Sequence, residues 1–113
     1  MVDPDCIFCK IVAGDIPATR VYEDENTIAF RDTNPQAPTH VLVVPREHFT
    51  DLGDIARDPA ASAGFVAGIR GTAETLGVEE YRTVCNTGAG VGQSVFHLHA
   101  HVLAGRPMGW PPG

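Results

Sequence analysis

Three histidines near the C-terminus occupy every second position of one short segment. In "QSVFHLHAHVLAG" (93–105) they are His97, His99 and His101, and the residues between them are apolar. Side chains alternate between the faces of a β-strand, so a strand over 95–105 would turn all three imidazoles to one face. A neutral imidazole is a nucleophile and titrates near neutral pH. The spacing predicts phosphoryl or nucleotidyl transfer through a histidine, and the alternative is an exposed histidine ladder without chemistry.

A glycine-rich loop precedes the histidines. "TGAGVGQS" (87–94) contains three glycines, and a glycine backbone can adopt positive φ and approach a ligand closely. Backbone N–H groups of such a loop, together with the Ser94 hydroxyl, suit a phosphoryl oxygen. We therefore expect the loop and the imidazoles to form one phosphate-binding site.

Hydrophobic periodicity and turn residues predict the elements that must position this site. They are a short helix (6–14), a hairpin of two strands (20–32), a loop (33–40), a buried strand (40–45), a long helix (58–77), a strand (81–86) and the histidine strand (95–105). Strands dominate and most connections are short. This pattern is typical of an α+β domain with an antiparallel five-stranded meander sheet, one main helix and a short N-terminal helix.

The long helix has clear ends and an unusual interior. Asp58 is a good N-cap before a proline, and Gly77 is a plausible C-terminal stop. Between them, Gly64, Gly68 and Gly71 each weaken the helix by about 1 kcal/mol relative to alanine. These glycines would be explained by a neighbouring element that packs very close to the helix.

The composition of the 113-residue chain narrows the classes of function. Fourteen acidic residues against eight Lys and Arg give a net charge of −6, which argues against a general nucleic-acid binder because that class needs a basic face. A small nucleotide is still compatible, since a few local donors can hold one phosphate. No apolar run could cross a bilayer or act as a signal peptide. We expect one domain over 1–113, located in the cytoplasm and not at a membrane.

The chain has three cysteines, Cys6, Cys9 and Cys85. An odd number in an intracellular protein argues against a disulfide framework. Cys6 and Cys9 form a C-x-x-C pair, which is typical of metal or redox sites, although both could simply be small buried hydrophobic residues. A structural zinc needs four ligands, and histidines are the remaining candidates. Cys85 lies in a predicted strand, where we expect it to pack in the interior.

The motif "HLHAHVL" fits the pattern His-φ-His-φ-His-φ-φ, with φ apolar, and resembles the histidine triad (HIT) family. The segments "FRDTNPQAPTHVLVVPREH", "GQSVFHLHAHVLAGR" and "WPPG" resemble its Hint branch, the histidine triad nucleotide-binding proteins. This resemblance implies a HIT fold and hydrolysis of purine nucleoside 5′-phosphoramidates to AMP or GMP. A sister branch hydrolyses dinucleoside polyphosphates but usually lacks the "WPPG" tail. A third alternative is a nucleotide-binding or scaffolding protein whose activity is incidental.

The resemblance also assigns roles to single residues. His99 would be the nucleophile that forms a nucleotidyl-histidine intermediate. The phosphate and leaving group would be contacted by His101, Ser94 and the backbone of Gly92 and Gln93, with His40 assisting protonation of the leaving group. The nucleoside would be held by Ile7, Phe8 and Phe30 around the purine, by Asp32 at the ribose and by Asn86 near ribose and phosphate. Thr33 stands where the branch usually has an aliphatic residue, so its contact with the sugar or base is open.

Simpler interpretations compete with the nucleoside roles. Apolar residues such as Ile7, Phe8 and Phe30 more often belong to a core. Asp32 could cap the following loop, and Asn86 could be a turn residue before a glycine.

Relatives that carry the Cys pair are similar to zinc-binding proteins that use both cysteines, a downstream histidine and the first histidine of the triad. The resemblance therefore implies a structural zinc held by Cys6, Cys9, His48 and His97. Zinc would not be required for catalysis.

The resemblance further implies a homodimer in which two sheets join edge to edge. The helix over 58–77 and the strand over 81–86 would contribute to the interface. The tail with Trp110 would reach toward the partner's site and help to select the leaving group.

Overall fold

The computed structural model describes residues 3–113 and contains five strands and three α-helices over that range. In chain order they are α1 (Ile7–Ala13), β1 (Arg20–Glu23), β2 (Thr27–Arg31), β3 (Thr39–Pro45), α2 (Leu52–Ile55), α3 (Pro59–Leu76), β4 (Arg82–Val84) and β5 (Ala100–Ala104). A single 3₁₀ turn (Ala89–Val91) lies in the glycine loop. The α+β class with one main helix is confirmed. In the described range, no helix has the length and apolar character needed to span a membrane.

The five strands form one antiparallel sheet in the order β1-β2-β3-β5-β4. The predicted meander is correct only for the first three strands, because β5 lies between β3 and β4. β5 pairs with β3 along one edge and with β4 along the other, so its backbone forms hydrogen bonds on both sides. The three-residue β4 is largely accessible, which suits a short edge strand.

Each face of the sheet is covered by a different helix. Val41 and Val102 are paired in the ladder and belong to the apolar cluster on the α3 side. Leu42 belongs to a second cluster with Phe8 of α1. Leu42 pairs with His101, so His101 points to the α1 face. The short N-terminal helix therefore lies over the face to which His101 points.

Helix α3 begins and ends where its sequence predicts. The Asp58 carboxylate accepts the N–H of Ala61 at 3.0 Å, which satisfies one of the free donors of the first turn. Pro59 occupies the first helical position, and Gly77 adopts φ +69° after the last turn. The N-terminal helix is confirmed in the same way, since Cys6 precedes α1 and Gly14 follows it with φ +84°.

The glycines of α3 face the β1–β2 hairpin at very short range. A Cβ at Gly68 would lie 2.6 Å from Thr27 Cγ2, and one at Gly71 would lie 2.5 Å from Tyr22 Cζ. Neither distance is compatible with a real side chain. The close approach that the glycines indicated is therefore an approach of the helix to its own sheet.

We expect Gly68→Ala to destabilise the protein by about 2 kcal/mol, because overpacking against Thr27 outweighs the gain of about 1 kcal/mol in helix propensity. Gly64→Ala is the matched control, since its Cβ would meet only the side chain of the exposed Asn26 at 3.0 Å. That side chain can rotate away. Urea unfolding of the three proteins measures the difference, and equal stability of the two variants would contradict close packing at Gly68.

The prediction of a strand over the whole of 95–105 is wrong in its first half, because β5 begins at Ala100. Residues 95–99 are held by loop contacts instead. The Leu98 N–H donates to the Phe49 carbonyl at 2.6 Å, and the Gln93 side-chain amide donates to the Val95 carbonyl at 3.1 Å. Helix α2 and the 3₁₀ turn were not predicted either, because each is a single turn.

Candidate active site and metal cluster

The histidines still alternate with apolar residues, although residues 95–99 do not form a strand. Leu98 and Ala100 are buried in the α3-side cluster, so the three imidazoles lie on the opposite side of the backbone. They do not share one pocket, however. His99 and His101 are neighbours with ring centroids 5.1 Å apart, whereas the ring of His97 faces two cysteine sulfurs. The segment thus serves two adjacent sites.

His99 is held with one ring nitrogen available. Its Nδ1 lies 2.9 Å from the backbone carbonyl oxygen of His97. A carbonyl oxygen only accepts, so Nδ1 carries the proton and donates, and Nε2 keeps its lone pair. The ring is nearly buried and stacks edge-on with Phe8 at 5.2 Å. His99 therefore has the tautomer that a nucleophile requires.

His101 is oriented by a chain of hydrogen bonds with a fixed direction. The backbone N–H of Gln36 donates to His40 Nδ1 at 2.9 Å. His40 Nε2 therefore carries a proton and donates to His101 Nδ1, also at 2.9 Å. The remaining nitrogen of His101, Nε2, then carries the ring proton of a neutral imidazole. His101 consequently presents an N–H donor on its other edge.

This chain also decides what His40 can do. His40 is buried and donates to the inner nitrogen of His101, so it could influence a ligand only through His101 and not by direct contact. Asp32 Oδ2 lies 3.4 Å from His40 Nε2, and the three side chains could resemble a metal site. Because His40 Nε2 carries a proton, it has no lone pair for a metal. The hydrogen-bond chain runs from the Gln36 N–H through His40 to His101, and Asp32 lies beside it.

The pKa of His101 agrees with this pattern of hydrogen bonds. Burial is the largest influence that lowers the pKa of His101 below its usual value, followed by the neighbouring His99 and His40, while Asp32 opposes the shift. The neutral form is therefore favoured at neutral pH, and only the neutral form can accept from His40 at Nδ1.

A cavity of about 700 Å³ adjoins the histidines. It is lined by six of the predicted nucleoside- and phosphate-binding residues, Ile7, Phe8, Phe30, Asp32, Thr33 and Ser94. His99 and His101 lie beside it and not in its wall, and Phe8 contacts both the cavity and the His99 ring. The volume lies within the range of about 300–1,000 Å³ for small-molecule sites.

Sequence reasoning missed several residues of this wall. Ile11 and Leu42 line the cavity, and both carry a signal that could have revealed them. Ile11 lies one helical turn after Ile7, and Leu42 lies on β3 opposite His101. Gln36 lies outside this wall but belongs to the hydrogen-bond chain; it carries no such signal, because it contributes only a backbone N–H from a loop.

The glycine loop is braced by a side chain and not only by glycine geometry. Gly88 and Gly92 adopt φ of +98° and +105°. The buried Gln93 side chain accepts the Gly88 N–H at 2.8 Å and donates to the Thr50 carbonyl at 2.8 Å. Gln93 therefore offers a ligand only its backbone. Asn86 lies against this loop, within 4 Å of a Cβ built at Gly92, and outside the wall of the cavity.

The structure brings together Cys6, Cys9, His48 and His97, whose ligand atoms all lie within 4.8 Å of one another. Cys6 Sγ lies 3.4 Å from His97 Nδ1, and Cys9 Sγ lies 3.4 Å from His48 Nδ1. Tetrahedral zinc with ordinary bond lengths separates a sulfur and a nitrogen ligand by about 3.5 Å. The donor set and its spacing therefore fit a four-coordinate metal.

The hydrogen bond that His97 donates leaves its other ring nitrogen available for a metal. Its Nε2 donates to the Pro45 carbonyl at 2.8 Å, which leaves the Nδ1 lone pair facing the sulfurs. Burial, the largest cause, together with His48 and His99, lowers the pKa of His97 to about 4, against the opposing bond to Pro45. The neutral ligand form is thus favoured at neutral pH.

The third cysteine takes no part in this cluster. Cys85 is partly buried and packs against the α3-side cluster. Burial raises the pKa of its thiol, which favours the unreactive form. Its packing role agrees with the prediction.

Comparison with known proteins places this architecture in a family. The chain is 47% identical over 111 residues to an uncharacterized HIT-like protein of Synechocystis, covering 96% of this chain and 97% of that protein. It is 44% identical over 115 residues to the 14 kDa zinc-binding protein of Zea mays, covering 98% and 90%. A crystal structure of a HIT family hydrolase from Legionella pneumophila superposes with a TM-score of 0.89 at 46% identity, covering 96% and 100%. The sequence model of the HIT domain matches residues 13–108, and the chain belongs to the HIT domain family.

Proposed function

We propose that this protein is a Hint-type hydrolase that cleaves the P–N bond of purine nucleoside 5′-phosphoramidates through a nucleotidyl-His99 intermediate. The observation that carries the proposal is the tautomer of His99. Its Nδ1–H is committed to the His97 carbonyl, so Nε2 is a lone-pair donor beside an apolar cavity. The naming of solved neighbours as HIT family hydrolases supports the reaction class.

In the first step, His99 Nε2 attacks the α-phosphorus and the P–N bond breaks. The leaving amine takes up one proton from solvent, and the N–H on the outer edge of His101 is placed to donate a hydrogen bond to the phosphoryl oxygens or the leaving nitrogen. In the second step, water attacks phosphorus, the P–N bond to His99 breaks and the nucleoside monophosphate leaves. The water releases one proton to solvent, which balances the proton that the amine took up in the first step.

The cavity provides for the nucleoside. Phe8 and Phe30 stack edge to face with ring centroids 5.6 Å apart, and together with Ile7 they offer apolar surface for a purine. Asp32 Oδ1 accepts the Asn34 N–H at 2.8 Å, so this residue does cap its loop. Its second oxygen is the acceptor for ribose hydroxyls. The base and sugar would thus be held on one side of the histidines.

We propose zinc as the metal of the Cys6, Cys9, His48 and His97 cluster, in a structural role. The donor distances and the zinc-binding name of the maize relative support this assignment. Bound zinc supplies a cross-link between α1 and the segment before β5. His97 would then hold the metal with its ring and the nucleophile with its carbonyl.

A homodimer and a cytoplasmic location remain proposals of the same kind. The edge strand β4 and the largely exposed Trp110 are compatible with a partner at that side of the sheet. The glycines of α3 already contact β1 and β2, so an interface on α3 would use its other face, where Val66 is exposed.

A substrate panel tests the reaction. Adenosine and guanosine 5′-phosphoramidates, a lysine-linked AMP and a diadenosine polyphosphate are compared by kcat/KM, and quenched reactions are analysed by mass spectrometry. We expect the phosphoramidates to be preferred and one nucleotidyl adduct to map to His99. Preference for the dinucleotide would favour the sister branch, and tight binding without turnover would favour a nucleotide-binding protein.

A further inference from the structure

The residues that follow β5 form hydrogen bonds and close contacts with the loop that carries Gln36. Arg106 donates to the Gln36 carbonyl from Nε at 3.0 Å and from Nη2 at 2.9 Å. Its third nitrogen, Nη1, donates to the Pro107 carbonyl at 2.9 Å, which fixes the guanidinium plane. A guanidinium with two parallel donors holds one acceptor in a defined direction. Arg106 therefore fixes the main chain of Gln36 from 70 residues away.

The preceding glycine brings this turn against the same loop. Gly105 has φ +96°, and a Cβ there would lie 2.9 Å from Pro38 Cβ. Only glycine satisfies both the backbone angle and the close approach. The turn at Gly105 and Arg106 thus contacts the loop at two places, on either side of residue 37.

Gln36, whose carbonyl accepts from Arg106, also sets the direction of the hydrogen-bond chain through His40 and His101. Gln36 receives Arg106 at its carbonyl and donates its N–H to His40 Nδ1. These two groups belong to one residue, so its φ and ψ relate their directions to each other. A shift of the carbonyl would turn the N–H away from His40. His40 could then carry its proton on Nδ1, and His101 would lose its donor.

We propose that Arg106 is a positioning residue for catalysis, which acts through Gln36 and His40 to keep the N–H of His101 directed at the phosphoryl group. The catalytic part of this inference rests on the proposed function. The effect on the ring tautomers does not, because it follows from the hydrogen bonds of the protein alone.

The experiment uses the full zinc-loaded chain with Arg106→Gln and Arg106→Lys. Arg46→Gln is the matched control, since Arg46 also donates to a carbonyl, that of Asp24 at 2.8 Å, but at the distant β1–β2 turn. Long-range ¹H–¹⁵N spectra identify the protonated nitrogen of each histidine. Hydrolysis of adenosine 5′-phosphoramidate gives kcat and KM for the same samples.

For Arg106→Gln we expect the ¹⁵N signals of His40 and His101 to move toward a mixture of tautomers, with kcat reduced about tenfold and KM nearly unchanged. Arg106→Lys should lie between this variant and the wild type, because an ammonium can still donate to the carbonyl. Arg46→Gln should keep wild-type tautomers and kcat.

Wild-type tautomers in Arg106→Gln would overturn the inference, whether or not kcat falls. A shift of the tautomers with unchanged kcat would overturn the catalytic role. If the protein hydrolyses no phosphoramidate at all, the proposed function fails, and the spectra still decide whether Arg106 controls the histidine chain.

Discussion

Replacement of His99 by glutamine is expected to reduce phosphoramidate turnover by at least about 10³-fold, because no other group can replace an enzymatic nucleophile at comparable rate. Glutamine preserves much of the volume beside Phe8, which contacts the His99 ring. We therefore expect the fold and the affinity for AMP to change little. Steady-state hydrolysis, calorimetric titration with AMP and mass spectrometry of quenched reactions measure the three quantities.

Two results would contradict the prediction for His99. Turnover of one-tenth of the wild-type value or more in His99→Gln, or a nucleotidyl adduct on His101, would remove His99 as the nucleophile. Loss of both AMP binding and turnover would instead indicate that the substitution had damaged the cavity. The same substitution must therefore separate chemistry from binding before the mechanism can be accepted.

Loss of one cysteine of the metal cluster is expected to cost most of the stabilisation that zinc provides. Free zinc at 1,000 times its Kd stabilises a folded protein by about 4 kcal/mol. For a domain of this size, that corresponds to a shift of about 15 °C in Tm. Cys9 is buried and lies within 3.5 Å of two histidine nitrogens. We therefore expect Cys9→Ser to show almost no rise in Tm on addition of zinc.

The chain supplies its own control for this experiment. Cys85→Ser alters a partly buried cysteine that lies outside the cluster, so its response to zinc should match that of the wild type. In the presence of a chelator, the wild type and Cys9→Ser should unfold at similar temperatures. An equal rise in Tm for Cys9→Ser and the wild type on addition of zinc would contradict metal binding by these four residues.

Local signals in the sequence determined several elements with their ends. Asp58 and Gly77 bound α3 because a carboxylate can satisfy free helical N–H groups and a glycine can adopt positive φ. The alternation around His99 predicted an apolar face and a face that carries the imidazoles, since neighbouring side chains of an extended backbone point in opposite directions. These results depend only on residues close together along the chain.

Features that depend on residues far apart along the chain could not be predicted from local patterns. Residues 95–99 look like a strand but are fixed by contacts with the segment around Phe49, so the local pattern predicted too long a strand. The place of β5 between β3 and β4 likewise depends on which strands pair, which no local periodicity encodes.

The protonation pattern of the site belongs to the same class. The tautomer of His99 is set by the nearby His97 carbonyl, but that of His101 is set by His40 and Gln36, more than 60 positions away. Residue type and local spacing are enough to predict which rings are present and which face they share. Only folding decided which nitrogen of each ring carries the proton, because a neutral imidazole takes its tautomer from the partner placed beside it in space.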